Sequence, residues 1–200
     1  MQLAALGVHR LQLIDFDTVE PTNITSQGYH HADLGHAKVD ATAREAQRIA
    51  PSLEVTTLAD RFRPSRRCGD VVFCCVDSIQ TRGTVWKSLQ HRCRFWCDGR
   101  MRGEVLRILT VADPDSATLY AESLFPPATA QRGSCTGRST LYAASVAAGL
   151  MLHQFVRWLR RQPFEPDLTL NLLANELTGS ESHRASSAIR SNLVPLPSGK

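Results

Sequence analysis

Two short apolar runs in this sequence end in acids that could do chemistry. The run Leu11 to Ile14 is followed by Asp15 and Asp17, and the run Val71 to Val76 is followed by Asp77. Apolar runs of this length predict buried strands of a parallel sheet. Open α/β sheets bind ligands at the carboxyl ends of such strands, where an acid commonly takes a ribose hydroxyl, so Asp15 is a candidate nucleotide contact. An unpaired acid at the position of Asp77 would be costly, which indicates that it has a partner or a ligand.

A lysine stands where a helix is predicted to begin. Apolar residues recur at three- and four-residue intervals from Lys38 to Ile49, which predicts an amphipathic helix that Pro51 ends. Lys38 at the start of this helix could bind an anion or be an ordinary surface lysine. Asp15 or Asp17, taken alone, could equally cap a turn.

Cys135 is the candidate nucleophile. It lies in a segment with two prolines and little periodicity, predicted to be a loop just before a long helix. Backbone N–H groups at the start of a helix can lower the pKa of a thiol and make it a thiolate nucleophile. An ordinary loop cysteine is an equal alternative.

Several motifs stand in an order and at a spacing typical of one family. They are Ile14-Asp-Phe-Asp-Thr-Val-Glu-Pro-Thr-Asn-Ile24, Gln27, Asp33-Leu-Gly-His-Ala-Lys38, Ile49-Ala-Pro51, Asp70-Val-Val-Phe-Cys-Cys-Val-Asp77-Ser78 and Gly133-Ser-Cys135. Together they resemble the ThiF/MoeB/HesA family of ubiquitin-activating-enzyme-like adenylyltransferases. An ordered set of this length is more specific than any single motif.

The resemblance implies ATP and Mg²⁺ as cofactors and a ubiquitin-like or sulfur-carrier protein as the substrate. It also implies a homodimer. The implied site residues are Asp15 and Asp17 for the ribose side, Lys38 for the phosphates and catalysis, Asn23 and Gln27 as neutral donors near the phosphates, Asp77 for magnesium and catalysis, and Cys135 for a thioester.

Two departures from the family pattern qualify this expectation. No Gly-x-Gly-x-x-Gly phosphate loop is present, because Met1 to Gly7 is similar to the end of the helix that follows that loop, and Ser26 replaces the arginine before Gln27. Either the sequence begins at an internal methionine of a longer protein, or it is a degenerate relative. Adenylation of a small molecule or of a modified tRNA base, and a non-catalytic binding protein, are therefore alternative functions.

The elements predict an α/β fold. We expect a Rossmann-like, mostly parallel sheet with helices on both faces, truncated at its N-terminus, with Val71 to Val76 as a central strand. A short antiparallel extension is predicted from Glu104 to Ala112 and from Thr118 to Glu122, and Asp98-Gly99 is predicted to be a turn. Residues 1–178 form the predicted nucleotide-binding domain, and residues 179–200 a polar, disordered tail.

Composition narrows the class of protein further. The chain has no apolar stretch long enough to cross a bilayer and no signal-peptide pattern, so we expect a cytoplasmic protein that is not bound to a membrane. The formal charge is only +4. The arginine clusters are not interleaved with stacking aromatics, so nucleic acid is not a predicted partner; the clusters are Arg61, Arg63, Arg66 and Arg67, and Arg157, Arg160 and Arg161.

The cysteines do not predict a metal site. The sequence contains 6 of them, and none forms the Cys-x-x-Cys pair that a structural zinc site typically uses. We therefore predict no zinc. Cys74 and Cys75 lie in an apolar run, where a reduced cysteine behaves as a small hydrophobic residue.

Overall fold

The computed structural model describes residues 1–125 and 141–180. The first of these ranges contains five α-helices and five strands, and the second contains a long helix and two strands. In chain order they are α1 (Gln2–Ala5), β1 (Arg10–Ile14), α2 (Pro21–Gln27), α3 (Lys38–Ile49), β2 (Glu54–Leu58), β3 (Val71–Cys74), α4 (Ile79–Leu89), β4 (Phe95–Arg102), β5 (Val105–Val111), α5 (Pro114–Glu122), α6 (Leu141–Leu159), β6 (Asp167–Asn171) and β7 (Glu176–Gly179).

β1 and β2 form a parallel pair of strands joined by α3. Ile14 lies opposite Leu58 at the carboxyl ends of the two strands. Helix α3 buries Val39, Ala41, Ala43 and Ala46, as the spacing of its apolar residues predicts. The segments that follow β1 and β2 therefore begin side by side at one edge of this sheet.

The second sheet has five strands in the order β3-β4-β5-β6-β7. β3 and β4 are parallel, with Val71 opposite Phe95, and the remaining neighbours are antiparallel. β4 and β5 form a hairpin that turns at Gly103, whose φ of 59° is in the left-handed region favoured by glycine.

Helices cover both faces of the five-stranded sheet. On one face, Phe95 and Cys97 of β4 and Leu106 and Ile108 of β5 pack against α6. On the other face, Trp96 and Leu109 pack against α4 and α5. The two faces alternate along each strand because successive side chains point to opposite sides. None of the described helices is long and apolar enough to span a membrane.

The predicted α/β fold with helices on both faces is confirmed, and its sheets contain both parallel and antiparallel strands. The antiparallel part is larger than the predicted short extension, since β4, β5, β6 and β7 are joined only by antiparallel pairs. Within the described sheet, β3 is an edge strand, although Val71 to Val76 was predicted to be central. The sequence also predicts helices from Lys38 to Ile49, from Thr81 to Gln90 and from Ser139 to Arg161, and these are confirmed as α3, α4 and α6.

Two predictions of local structure were wrong. Thr118 to Glu122 belongs to helix α5 and not to a strand, because Asp113 caps this helix by accepting a hydrogen bond from the Ser116 N–H at 2.8 Å, with Pro114 as its first residue. Asp98 and Gly99 do not form a turn, since β4 continues to Arg102.

The C-terminal part of the chain is described only in part. β7 extends to Gly179, one residue past the predicted domain boundary. The predicted disordered tail lies, from residue 181 onward, outside the described residues, as does the predicted loop that contains Cys135.

Candidate functional site

A pocket of about 140 Å³ lies where β1 ends and α3 begins. Its polar lining comes from Asp15 and Lys38, as the sequence predicts, and from Tyr29 and Thr42, which the sequence analysis did not include. The apolar lining comes from Leu13, Ile14 and Val39. The pocket thus combines a carboxylate, an ammonium group and two hydroxyl groups on an apolar floor, a pattern typical of small-molecule sites.

Lys38 is held in this pocket by Asp17. Its Nζ lies 3.0 Å from Asp17 Oδ2, and its backbone N–H donates to the Asp17 carbonyl oxygen at 3.0 Å. A bridge between Thr18 and Ala37 continues the pairing of the two segments. The Lys38 side chain is only 11% exposed. Lysine side chains usually have several accessible rotamers, so the ion pair and the backbone contacts restrict where the charge can lie.

Asp15 makes a different set of contacts. Its Oδ1 accepts a hydrogen bond from the Asp17 N–H at 2.9 Å, the turn expected of an Asp at a strand end. No lysine or arginine among the described residues forms an ion pair with it. The second carboxylate oxygen is therefore available to accept a hydrogen bond from a ligand.

Tyr29 and Thr42 add a pair of hydroxyl groups. The Tyr29 hydroxyl and Thr42 Oγ1 are 3.2 Å apart. Burial raises the pKa of Tyr29 above its ordinary value, so the phenol stays protonated at neutral pH and can donate a hydrogen bond. Thr42 lies one helical turn after Lys38, so the i, i+4 spacing could have predicted it. Nothing in the local sequence predicts that Tyr29 reaches the same pocket.

The two predicted neutral donors lie on α2, outside the pocket lining. Asn23 is buried, and its Oδ1 accepts from the Glu20 N–H at 2.8 Å, which caps α2. Gln27 is exposed at the end of the helix. Ser26, which stands where the family has arginine, is buried, and its hydroxyl donates to the Thr22 carbonyl at 2.7 Å.

Asp77 follows β3 and is exposed. In the described part of the chain its carboxylate makes no hydrogen bond or ion pair, and it does not line the pocket that holds Asp15 and Lys38. An open carboxylate of this kind fits Mg²⁺, which in nucleotide sites is held by one or two carboxylates together with phosphate oxygens and water. Within the described ranges, no three or more His, Cys, Asp and Glu side chains form a group that could hold a metal ion.

A buried ion-pair network lies beside the end of β3. Asp98 is fully buried, its Oδ1 pairs with the Arg82 guanidinium, and its Oδ2 accepts from Arg100 Nε at 2.9 Å and from the Tyr120 hydroxyl at 3.0 Å. Burial raises the pKa of Tyr120 to about 12, so this phenol is neutral and donates. The two arginines explain why an aspartate can remain within a buried strand.

This network also fixes the backbone on either side of it. Arg82 donates to the Val76 carbonyl, one residue before Asp77, and to the Gly99 carbonyl at 3.1 Å. Arg100 donates to the carbonyl and the hydroxyl oxygens of Ser123, each at 3.0 Å. The network around Asp98 therefore connects the segment that carries Asp77 to the end of α5. Sequence reasoning missed it because Asp98-Gly99 is typical of a turn.

The described cysteines are free thiols and do not resemble activated nucleophiles. They are Cys68, Cys74, Cys75, Cys93 and Cys97. Burial raises the pKa of the Cys97 thiol to about 12, which is the opposite of what a thiolate nucleophile requires. Cys135, the predicted nucleophile, is outside the described residues.

The sequence is similar to one protein family and to several known proteins. A model described as the ThiF family matches residues 1–192. Adenylyltransferase and sulfurtransferase MOCS3 of Sus scrofa is 38% identical over 89 residues, which are 42% of this chain and 20% of that protein. Molybdopterin-synthase adenylyltransferase of Haemophilus influenzae is 30% identical over 112 residues, which are 52% of this chain and 46% of that protein. The chain thus spans from a fifth to about half of these relatives.

Solved structures share the fold. Escherichia coli MccB, determined with MccA, has a TM-score of 0.67 at 16% identity over 90% of this chain and 58% of that one. MccB was also determined with ATP, with a TM-score of 0.65 at 16% identity over 90% of this chain and 58% of that one. PaaA has a TM-score of 0.68 at 18% identity over 90% of this chain and 66% of that one.

Proposed function

Because this chain belongs to the ThiF family, we propose that it is an adenylyltransferase that uses ATP to activate the C-terminal carboxylate of a ubiquitin-like or sulfur-carrier protein. The observation that carries the proposal is the pocket at the end of β1, where Asp15, Lys38, Tyr29 and Thr42 meet. The names of the relatives support the reaction type, since they describe adenylyltransferases, one of them acting on molybdopterin synthase.

In this proposal the pocket holds the ribose of ATP and the phosphate next to it, and the rest of the nucleotide lies outside the pocket. The open carboxylate oxygen of Asp15 accepts a hydrogen bond from a ribose hydroxyl, as acids at the ends of strands in this type of sheet commonly do. Lys38 Nζ, restrained by Asp17 at 3.0 Å, offers a fixed positive charge to the phosphates. The protonated Tyr29 hydroxyl and Thr42 supply neutral donors beside them.

The chemical step is a displacement at the α-phosphorus. A carboxylate oxygen of the carrier protein attacks the α-phosphorus of ATP, the bond to the β-phosphate oxygen breaks, and pyrophosphate leaves with the electron pair. The products are an acyl adenylate and pyrophosphate. Asp77 would hold Mg²⁺, which when bound neutralises charge on the phosphates. Asn23 and Gln27 on α2 are proposed as neutral donors on the phosphate side of the site.

Thioester formation would be a second step at Cys135. The Cys135 thiolate attacks the acyl carbon of the adenylate, and AMP leaves. A homodimer is proposed for the assembled protein, as the resemblance to the family implies.

The test is ATP–pyrophosphate exchange with molybdopterin synthase as the acceptor, because that protein is named by the bacterial relative. We expect exchange that depends on the acceptor and that falls at least about a hundredfold in Asp77→Ala, since one electrostatic contact to the transition state is typically worth that much. Glu122→Gln, a change at an exposed acid on α5, is the control and should leave the rate unchanged.

The outcome also separates the alternatives. Exchange that persists in Asp77→Ala would contradict the role proposed for this residue. ATP binding without exchange, for this acceptor and for total tRNA, would favour the non-catalytic binding protein. Label from [α-³²P]ATP transferred to tRNA, but not to protein, would favour adenylation of a modified RNA base.

A further inference from the structure

An arginine-rich surface lies outside the pocket. Four of its arginines are on the segment between β2 and β3, and the fifth follows α4. The surface is formed by five arginines, of which all but Arg66 are exposed: Arg61, Arg63, Arg66, Arg67 and Arg92. We call this the arginine surface. Arg92 is joined to the segment that carries the other four, since it donates to the Arg66 carbonyl at 2.8 Å and to the Pro64 carbonyl at 3.4 Å.

The arginine surface has too little negative charge to balance it. Arg63 Nε lies 3.2 Å and Arg66 Nη2 lies 3.4 Å from the same oxygen of Asp60. No other carboxylate among the described residues pairs with any of the five arginines. Arg92 is bound by carbonyl oxygens, which accept hydrogen bonds but do not neutralise charge. The surface therefore attracts anions.

One exposed aromatic ring lies at the end of this surface. Phe16 is 51% exposed, and the Arg61 guanidinium carbon lies 4.0 Å from the centroid of its ring. The pairing of β1 with β2 causes this contact, because Ile14 lies opposite Leu58 and the following residues leave the sheet together. Phe62, which stands between Arg61 and Arg63 in the sequence, packs against the core, whereas Phe16 reaches Arg61 from a distant part of the chain.

Several exposed arginines beside an exposed ring match the chemistry of a single-stranded nucleic acid. Each guanidinium presents a planar fork that can bind a phosphate with two hydrogen bonds. Bases stack on exposed rings with little dependence on sequence. An acidic protein would require the charges but not the ring. We propose that the arginine surface binds single-stranded nucleic acid, with phosphates on the arginines and one base stacked on Phe16.

This site is separate from the proposed ATP site. Phe16 follows Asp15 in the chain, but neither Phe16 nor any residue of the arginine surface lines the pocket that holds Asp15 and Lys38. The inference therefore does not rest on the proposed adenylation. Either can fail while the other holds.

The experiment measures binding of the whole chain to fluorescein-labelled oligouridylate and oligothymidylate of about twelve nucleotides, a length suited to sites of this kind. Fluorescence anisotropy is recorded from about 50 mM to about 200 mM NaCl, and we expect the affinity to fall with salt. Phe16→Leu should weaken binding at least about fivefold, because it removes the stacked ring but keeps an apolar side chain.

The arginine variants have a different expected signature. Arg63→Ser and Arg67→Ser should each reduce the slope of log K against log salt by about 0.7, because each removes one phosphate contact. Phe16→Leu should leave that slope unchanged. Arg160→Ser, a change at an exposed arginine after α6, is the matched control and should bind as the unaltered chain does. Melting curves for each variant verify that it is folded.

Three results would overturn the proposal. The first is no binding of either oligonucleotide at the lowest salt. The second is an unchanged affinity in Phe16→Leu. The third is equal competition by poly-L-glutamate, which would indicate a surface for an acidic protein. Preference for oligouridylate over oligothymidylate would identify RNA as the ligand, and the reverse preference would identify DNA.

Discussion

Lys38 and Asp17 are joined twice, by an ion pair of 3.0 Å between Nζ and Oδ2 and by a hydrogen bond of 3.0 Å from the Lys38 N–H to the Asp17 carbonyl. The first turn of α3 is thereby fixed to the segment that follows β1. Two parts of the chain that are separated by α2 thus present Asp15 and Lys38 to the same pocket.

Replacing Lys38 should weaken phosphate binding selectively. In Lys38→Met we expect the dissociation constant for ATP to rise at least about tenfold, since a charge-assisted hydrogen bond contributes about 1.5–3 kcal/mol. Adenosine, which has no phosphates, should bind with nearly unchanged affinity. Isothermal titration calorimetry measures both, and Lys87→Met, at an exposed lysine of α4, is the control. An equal loss for adenosine would indicate that the substitution disturbs the pocket itself.

The network around Asp98 should be important for stability. Asp98→Asn leaves the Arg82 and Arg100 guanidinium groups buried without a carboxylate, and breaking such a pair costs about 3–5 kcal/mol of unfolding free energy. Tyr120→Phe removes a single hydrogen bond to the Asp98 carboxylate and should cost about 1.5–3 kcal/mol, less than the loss of the carboxylate itself. Urea denaturation followed by circular dichroism measures both. A loss in Asp98→Asn no larger than in Tyr120→Phe would show that the buried charges are not coupled as described.

Tyr120 should also make stability depend on pH in the alkaline range. Burial raises its pKa from an ordinary value of 10.0 to about 12 in the folded chain. Between these values the unfolded chain loses a proton that the folded chain keeps, so the unfolded state is favoured as the pH rises. We expect stability to fall from about pH 10 to about pH 12 by roughly 2 kcal/mol. The dependence should be weaker in Tyr120→Phe, and an identical pH profile in the two proteins would contradict this assignment.

Much of the site could be predicted where its signal is local. Asp15 ends an apolar run and Lys38 begins a helix, and both features depend on residues nearby in sequence. Thr42 is related to Lys38 by one helical turn, so it could have been predicted with them. The fold class was predictable for the same reason, because hydrophobic periodicity identified α3 and short apolar runs identified β1 and β3.

The remaining features depend on contacts between distant residues. Asp98-Gly99 is typical of a turn, and only the arginines on α4 and β4 allow the strand to continue through it. Tyr29 reaches the pocket, and Phe16 reaches Arg61, only after β1 and β2 have paired. Thr118 to Glu122 was interpreted as a strand that pairs with Glu104 to Ala112, but the cap at Asp113 and the proline after it determine a helix.

The most direct measurement is a thermodynamic cycle on the contact proposed between Asp15 and the ribose. The dissociation constants of ATP and of 2′,3′-dideoxy-ATP are measured by calorimetry for the unaltered chain and for Asp15→Asn. Since a hydrogen bond to a charged group contributes about 1.5–3 kcal/mol, we expect the unaltered chain to prefer ATP at least about tenfold and Asp15→Asn to lose most of that preference. No ATP binding by the unaltered chain, or an equal preference for ATP in both proteins, would contradict the account.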